Sequence, residues 1–500
     1  MFSFFKKKQK RQVEKPSVSH HLFPNVKENL TFICDAFNHT DDLQMRNITW
    51  NAKQGKLVYL ETMTDMEHFQ QTFLLPLSHS SKEEGQQTVD ILASPEVQKS
   101  SDLQKVIEKL LSGHCVLFLP QTSECIIFNS VQSNNRSPDE PENEKAIRGS
   151  HKGFVESLDT NLNLVRERVH NEHLTVKYFT LGNETCTNVA MLYMSNIADP
   201  AIHQAVQKRL ESISSDMIFS PGYIEEAIED HPYSPFQQII VTERPDRVEA
   251  NIIEGRVAIM VEGSADATIV PVTFFSFFQS TDDYNIRYYA GSFFRLLRIF
   301  SFLGALFLPA IYIAVVGFHF EVIPYDMISI VKSSVENIPF PPFVEALIMT
   351  VTIELIREAG IRLPTPIGQT IGIVGGLIIG DAVVSAGLIS NIMVIVIALT
   401  AIMSFCLPSY EMGNTVRLLS VPVMLGAATL GFVGIVFASM LIIIHMCTLE
   451  SFKTPYLSPL APVHFEEFKD TLIRVPNWLI NKRPKDIHPQ KIMTGKKPRK

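Results

Sequence analysis

Residues 299–318, IFSFLGALFLPAIYIAVVGF, decide the fold of this 500-residue chain, because these twenty residues include no charge. A helix of that length can cross the hydrocarbon core of a bilayer. Long uncharged runs continue as far as Met446, whereas the residues before Ile299 have the mixed composition of a soluble protein. The sequence therefore predicts an integral membrane protein with a large soluble part. It argues against a purely soluble enzyme, a secreted disulfide-rich domain and a disordered chain.

Four further apolar segments complete the predicted membrane part. They are residues 343–356, 367–389, 392–407 and 418–446. The first is short and includes Glu345 and Glu354. We interpret it as a tilted or re-entrant segment, or as a helix facing other helices, with both acids as candidate buried polar groups. The last has 29 residues, which is long for one crossing and short for two, so we interpret it as one tilted or kinked helix.

The charge of the two ends sets the expected number of crossings. Residues 482–500 include eight Lys or Arg, and positive charge favours the cytoplasmic side of a membrane. Arg287, Arg295 and Arg298 precede the first span and favour that side for the soluble part as well. Five crossings would put the two ends on opposite sides. We therefore expect four crossings, with residues 343–356 not crossing, in a multi-pass protein of four to five membrane segments.

A stripe of small residues marks the segment 367–389. Its glycines recur at every fourth position: Gly368, Gly372, Gly376 and Gly380. On a helix these positions share one face, and small residues on one face let helix backbones pack closely. The pattern predicts tight packing, either between copies of the chain or within one chain. Asp381 follows the stripe and is interpreted either as an acid that faces a cavity or partner, or as a residue at the membrane surface.

The soluble part has the pattern of two α/β or α+β subdomains joined by a polar linker that includes Pro138 and Pro141. The first 50 residues are expected to form a basic arm and one helix, which covers residues 26–50. The predicted division of the chain is 1–50 for the arm and helix, 51–130 for subdomain 1, 131–153 for the linker, 154–285 for subdomain 2, 286–450 for the transmembrane domain and 451–500 for a basic tail.

Charge and cysteines place the soluble part in the cytoplasm. The net charge is −8, and basic residues concentrate at both ends of the chain. Such ends are typical of solvated tails or of contact with anionic lipid headgroups. The six cysteines include no CxxC pair, so the sequence predicts neither a zinc site nor a disulfide framework. No signal peptide is evident, which also favours a cytoplasmic N-terminal region.

Motifs of catalysis and cofactor binding are not evident in the soluble part. We find no GxGxxG after a strand, no P-loop, no HExxH and no GxSxG. We therefore expect no enzyme activity, and we propose no catalytic, cofactor-binding or metal-binding residue and no nucleic acid partner. The charged pairs Arg244–Asp246 and Glu254–Arg256 flank predicted strands, and we interpret them as local surface salt bridges rather than subunit contacts.

Six sequence strings together resemble one family, the A subunits of the GerA-type spore germinant receptors of endospore-forming bacteria. The resemblance covers roughly residues 50–460, and no single string would suffice. The strings are GFVESLDTN at 153–161, SPFQQIIVTERPD at 234–246, EGRVAIMVEG at 254–263, EAGIRLP at 358–364, IGQTIGIVGG at 367–376 and GDAVVSAGL at 380–388.

The resemblance implies a nutrient receptor complex in the spore inner membrane. Its partners would be a transporter-like B subunit, which in this family is the proposed nutrient-binding component, and a lipoprotein C subunit. The family's A subunits are thought to oligomerise into a nutrient-gated cation channel. In such a channel the glycine stripe would pack copies together, and Gln369, Val374 and Asp381 are candidate pore-lining or gating residues, since rings of acids favour cations. The alternatives are a membrane transporter and a scaffold subunit without its own pore.

Overall fold

The structure is a computed structural model and describes residues 21–50, 53–75, 97–131, 140–141, 143–336, 338–465 and 467–495. Within these ranges, an α/β region with two five-stranded sheets is followed by a helical region. This order confirms the predicted fold class of an α/β N-terminal region and an α-helical C-terminal region. The predicted basic arm up to residue 20, residues 132–139 and 142 of the predicted linker, and the last five residues of the predicted tail lie outside the described residues.

The first sheet has the strand order β1-β2-β4-β5-β3, and its neighbouring strands are antiparallel. Apolar side chains fill both faces, because successive residues of a strand point to opposite sides. In β2, Val58 and Leu60 join one core, and Leu57 and Tyr59 join the other. The elements of this part are α1 (Val26–Ala36), β1 (Leu43–Trp50), β2 (Lys53–Leu60), α2 (Met66–Phe69), β3 (Val97–Ser100), α3 (Leu103–Leu111), β4 (Cys115–Phe118), β5 (Cys125–Phe128) and α4 (Leu158–Arg168).

The helix expected over residues 26–50 is wrong in its second half. Helix α1 ends at Ala36, and Asn38 and His39 follow with positive φ values of 52° and 50°. Residues from Leu43 onward form β1, which pairs with β2 along its whole length. This pairing is a contact between two segments, so the local pattern of residues 26–50 does not report it.

The second sheet has the strand order β6-β7-β9-β10-β8, and β10 pairs antiparallel with both β8 and β9. Gly255 ends the helix before β9 with a positive φ of 117°, a conformation in which glycine is not strained. The elements here are β6 (Leu174–Leu181), β7 (Thr187–Met194), α5 (Pro200–Glu211), α6 (Pro221–Ile228), β8 (Ile240–Thr242), α7 (Pro245–Glu254), β9 (Val257–Val261), β10 (Ala267–Val270) and α8 (Thr281–Asn285).

The helical region begins with the segment that the sequence analysis singled out first. Helix α9 is the one helix of the described residues that is both long and apolar enough to cross a membrane, and α13 and α15 are apolar but shorter. The helices of this region are α9 (Tyr288–Gly317), α10 (Tyr325–Val335), α11 (Pro342–Arg362), α12 (Thr365–Ser385), α13 (Asn391–Phe405), α14 (Tyr410–Leu430) and α15 (Phe432–Thr448).

The six longer helices of the described chain, α9 and α11 to α15, alternate in direction. Tyr312 in the second half of α9 contacts Ser390 at the start of α13, with 3.3 Å between the hydroxyl oxygens. Gly304, about two helical turns before Tyr312 in α9, faces Met403 near the end of α13. At the opposite end, Arg357 of α11 donates to Asn414 of α14 at 3.3 Å. Helix α11 therefore begins where α9 ends, and it ends where α14 begins.

Residues 418–446 form parts of two helices, where the sequence analysis expected one. The chain reverses at Gly431, which has a φ of +63°. A Cβ atom added to Gly434 would lie 1.9 Å from the carbonyl oxygen of Gly426, so the two helix backbones touch there. Such contact is possible only between residues without side chains. The α14–α15 hairpin is thus a tight antiparallel pair.

Buried charges fix the entry to α9. The Asp283 carboxylate accepts from Arg295 Nε at 3.2 Å and from Arg298 Nη1 at 2.9 Å. The side chains of Asp283 and Arg295 are fully buried. Arg295 also pairs with Asp470 of the C-terminal segment at 3.2 Å. These two arginines, which the sequence analysis assigned to the cytoplasmic end of a span, therefore bind carboxylates of the protein itself.

The C-terminal segment packs against the region of the second sheet and does not extend as a solvated tail. It includes β11 (Glu450–Ser451), β12 (Thr454–Pro455) and α16 (Phe468–Thr471). Arg483 is buried and donates to the carbonyl oxygens of Ile253, Lys491 and Met493 at 2.7–2.9 Å. The interpretation of the basic C-terminus as a solvated tail is therefore wrong around Arg483, Asp486 and Ile487, which are buried, whereas residues 491–495 are exposed.

Candidate functional site

An open cleft of about 960 Å³ lies between the segment around residues 226–237 and the helices α11 and α14. Three hydrogen bonds fix this segment to the helical region. Thr415 donates to the carbonyl oxygen of Pro235 at 2.7 Å, Ser409 donates to Gln237 at 3.4 Å, and Ser234 contacts His445 at 2.9 Å. Acids outnumber bases among the charged side chains of the cleft, which are Glu226, Glu229, Glu354, Arg357, Glu358, Glu411 and Arg417.

Glu354 is the centre of a polar cluster at one side of the cleft. Its carboxylate accepts from Arg417 Nε at 3.1 Å and from Arg357, one helical turn further along α11. Asn414 accepts from both arginines, and Arg417 also donates to Ser404 of α13 at 3.1 Å. The cluster therefore joins three helices through charge-assisted hydrogen bonds, which are about twice as strong as neutral ones.

Helix capping positions these groups. Ser409 accepts from the backbone N–H of Met412, so α14 begins at Tyr410 and turns Asn414 and Arg417 toward α11. Glu411 lies in the first turn of α14, where a negative charge is favourable beside the free N–H groups of the helix. Glu354 stands out in the sequence, but Asn414 and Arg417 do not, because these residues precede the apolar run that was interpreted as a span. Their helical spacing from Tyr410 onward was the available signal.

Glu345 lies at the opposite end of α11 and belongs to a different environment. Its side chain is fully buried, and its Oε2 accepts from the backbone N–H of Ser390 at 2.7 Å. Ser390 caps the N-terminus of α13, so the carboxylate faces the positive end of that helix. No described residue hydrogen-bonds its Oε1. Glu345 and Glu354 are about 13 Å apart along the helix axis and do not form one site.

The glycine stripe lies on α12 and has two environments. A Cβ atom added to Gly368 would lie 2.7 Å from the carbonyl oxygen of Gly360 in α11, so this position packs within the chain. No described atom lies within 4 Å of a Cβ atom built at Gly372, Gly376 or Gly380. Asp381 is exposed just after the stripe. The side chains of Gln369 and Val374 lie outside the described part of the chain. Over Gly372, Gly376 and Gly380, α12 presents a backbone face that no described residue covers.

Carboxyl groups around α6 have perturbed acidity at the edge of the cleft. Burial is the main cause that raises the pKa of Glu225 to about 8 and that of Glu229 to about 7. The negative charge of Glu411 adds to both shifts, and Asp266 adds to that of Glu225. The causes of the Glu225 shift include no basic residue, so its neutral form is favoured near neutral pH.

We expect Glu225→Gln to reduce the pH dependence of stability. The folded-state pKa of Glu225 lies above its usual value of 4.5, so the folded chain holds more protons and loses stability as the pH rises through about 8. The glutamine stays neutral, and the variant should exceed the parent by on the order of 1 kcal/mol at pH 9. Thermal unfolding at pH 6 and pH 9 measures this difference. The control is Glu226→Gln, an exposed neighbour, and equal pH profiles for parent and Glu225→Gln would contradict the shift.

Comparisons with known proteins come from one family model and several relatives. The model described as Bacillus/Clostridium GerA spore germination protein matches residues 31–486. The uncharacterized membrane protein YfkQ of Bacillus subtilis (strain 168) is 39% identical over 93% of this chain and 91% of its own length. Spore germination protein B1 of the same organism is 37% identical over 93% of this chain and 98% of its length. Spore germination protein KA, also from that organism, is 35% identical over 95% and 89%.

A solved structure is similar to part of this chain. It is the crystal structure of the N-terminal domain of the A subunit of the Bacillus megaterium spore germinant receptor GerK3. Its sequence is 26% identical, and the match covers 52% of this chain and 99% of that chain with a TM-score of 0.40.

Proposed function

Because this chain belongs to the GerA family of spore germination proteins, we propose that it is the A subunit of a membrane-bound germinant receptor that triggers spore germination. We further propose that copies of it assemble into a nutrient-gated cation channel, with a transporter-like B subunit and a lipoprotein C subunit as partners. The observation that carries the channel proposal is the uncovered glycine face of α12. A bare helix face within a bilayer is favourable only when another helix covers it.

The proposed topology has six crossings, against the four expected from the sequence, although α9 is the one described helix that is by itself long and apolar enough to cross a membrane. The alternation of α9 and α11 to α15 supports it, because six antiparallel helices return the chain to its starting side. The α14–α15 hairpin supplies the additional crossing, and α11 crosses even though it includes Glu345 and Glu354. In this topology the soluble part and the C-terminal segment both lie in the cytoplasm. The exposed apolar side chains of these helices face lipid or partner helices.

The proposed signalling route passes through the cleft. The segment 234–237 is bonded to α14 and α15, and the Glu354 cluster joins α11, α13 and α14. A movement of the soluble part would therefore reach these helices directly, as rigid elements coupled by hydrogen bonds. Helix α12 follows α11 after two residues, which brings its proposed pore residues Gln369, Val374 and Asp381 under the same control.

We expect Gly376→Leu to abolish assembly and ion flux while leaving the single chain folded. The new side chain meets no described atom of its own chain, but it would separate helices that pack on the stripe by several ångströms. Flux of monovalent cations from liposomes holding the purified receptor should fall to background. The mass of the detergent-purified complex should fall to that of an unassembled unit.

The same flux assay on Asp381→Asn tests the acid, whose loss should reduce the preference for cations over anions.

The matched control is Gly317→Leu at the end of α9, where a Cβ atom also meets no described atom. This variant should keep both assembly and flux. Oligomers of normal mass from Gly376→Leu would exclude the stripe as the contact between copies. Assembly without flux in the parent protein, under every nutrient tested, would favour the scaffold subunit without its own pore.

A further inference from the structure

Two adjoining cavities lie between the second sheet's helices and the C-terminal segment. Their volumes are about 220 and 340 Å³. We call the pair the Arg256 cavity, because Arg256 lies in the wall of both. The side chains that the two share are Glu254, Arg256, Ser276, Gln279, Asp470 and Ile480. The wall includes residues both before α9 and after α15, so the cavity is complete only when the C-terminal segment is in place.

Arg256 is a buried cation with few partners. Its side chain is 7% exposed, although the sequence analysis interpreted it as part of a surface salt bridge. Within the described chain, Nη2 donates to Ser276 at 3.3 Å, and Nε has no hydrogen-bond acceptor. Its acidic neighbour Glu254 is 3.8 Å away, at the long end of an ion pair. A guanidinium has five N–H groups, and a buried donor without an acceptor is costly.

The cavity wall includes one further buried donor without a described acceptor, and more cations than acids. Ser458 is fully buried in its wall, and no described residue hydrogen-bonds its hydroxyl oxygen. Beside Arg256, the wall of the smaller cavity includes the cations Lys469, Lys482, Arg483 and Lys485. Its acids are Glu254, Glu467, Asp470 and Asp486.

Two of these acids contribute less than a full negative charge to the cavity. Asp470 is already paired with Arg295 of α9 at 3.2 Å. Burial and the hydrogen bond with Asp486 raise the pKa of Glu467 to about 7, so near neutral pH it is partly protonated. The cations of the wall therefore exceed the effective negative charge, and the cavity favours an anion.

We propose that the Arg256 cavity binds a small oxyanion, a phosphate or a carboxylate, with the Arg256 guanidinium as its principal ligand. Planar guanidinium groups bind such anions through two parallel hydrogen bonds. The cavity volumes admit an inorganic phosphate or a short carboxylic acid but no macromolecule. This site lies apart from α12 and the cleft, and the proposal does not depend on the channel.

Binding would strengthen the attachment of the C-terminal segment. An anion held by Arg256 would also contact cations of residues 469–485, which come from the other wall of the cavity. The bound form would then resist separation of the two walls, because a ligand stabilises the state that binds it. Asp470, at the junction of the two cavities, connects this wall to Arg295 at the start of α9.

The test is thermal unfolding of the full-length chain in detergent at pH 7, with increasing inorganic phosphate at constant ionic strength set by chloride. A second series uses acetate in place of phosphate. We expect a saturable rise of Tm in at least one series, and the series that shows it identifies the anion. Arg256→Gln should weaken the apparent affinity at least tenfold, as expected for the loss of a charged hydrogen bond. Arg256→Lys, which retains the charge, should give an intermediate value.

The control is Lys208→Gln, which removes one exposed positive charge from α5, outside the cavity. It should leave the affinity unchanged. No saturable rise with either anion in the parent chain would overturn the proposal and leave the cavity to water. Equal affinities for the parent and Arg256→Gln would also overturn it. If Arg256→Gln unfolds on purification, Arg256→Lys decides, since an unchanged affinity in that variant contradicts recognition through a guanidinium.

Discussion

Gly434→Ala is expected to unfold or misassemble the helical region. The added methyl group would lie 1.9 Å from the carbonyl oxygen of Gly426, whereas a carbon–oxygen contact needs more than 3 Å. The obstacle is backbone, so no rotamer change can relieve it, and α14 and α15 must separate. We expect a loss of about 3 kcal/mol or more in the free energy of unfolding. Thermal or denaturant unfolding in detergent, with the yield of monodisperse protein, measures the effect.

Gly360→Ala is the matched control for this substitution. It also adds one methyl group inside a helix of the same region, but no described atom lies within 4 Å of it. Because alanine is the better helix former, this variant should be neutral or more stable by up to about 1 kcal/mol. A Gly434→Ala protein with the parent's unfolding midpoint would show that the two helices do not pack through these glycines.

Asp283→Asn is expected to cost about 3 kcal/mol of stability. The substitution keeps the shape of the side chain but removes the charge that accepts from Arg295 and Arg298. Arg295 is fully buried, and breaking one partner of a buried ion pair typically costs 3–5 kcal/mol. Arg295 retains Asp470 as a second partner, which places our expectation at the lower end. Denaturant unfolding of the purified chain measures the loss.

Asp282→Asn controls for the change of type at the neighbouring position. Asp282 is half-buried and accepts one hydrogen bond, from the backbone N–H of Ile147 at 3.2 Å. Its substitution should cost less than about 1 kcal/mol. If the two variants lose the same stability, the buried ion pairs of Asp283 contribute no more to stability than the single hydrogen bond of Asp282. The double variant Asp283→Asn/Arg298→Met should recover part of the loss, because it removes one of the two cations left without a partner.

Local composition predicted a helix correctly where a single segment of the chain is enough to determine it. Twenty uncharged residues at 299–318 fix α9 whatever surrounds them. The interpretation of residues 418–446 as one helix is wrong, because hydropathy does not distinguish one long helix from two short ones. The structural reason for two is the approach of Gly426 to Gly434, and this contact exists only after the chain has reversed. The glycine at 431 was the one local signal of a turn.

Contacts between distant segments account for the other corrections. Residues 43–50 fit a helix by pattern, but they form a strand because β2 is available as a partner. The C-terminal residues fit a solvated tail by composition, but Arg483 is buried since three backbone carbonyls accept its hydrogen bonds. A basic residue is rarely buried without such acceptors. The sequence around Arg483 does not indicate that the carbonyl oxygen of Ile253 will be one of them.

The candidate sites were accessible to sequence reasoning only in part. An acid inside an apolar segment is unusual enough to be noticed alone, and so Glu345 and Glu354 were singled out. Their partners were not, because Ser390 and Arg417 have ordinary sequence surroundings and become partners only through helix packing. Arg256 was noticed for its charge, but its burial depends on the C-terminal segment more than 200 residues away.

Two separate contacts join the region of the second sheet to the two ends of the helical region. Before α9, Asp283 binds Arg295, and after α15, Ser451 donates to the carbonyl oxygen of Gln238 at 3.0 Å. A region joined to the helices by a single linker can rotate without changing the positions of the helices that follow. A region bonded to both the first and the last helix would move both of them when it rotates. A small rotation of this region would therefore act on the helical region at its first and its last helix together.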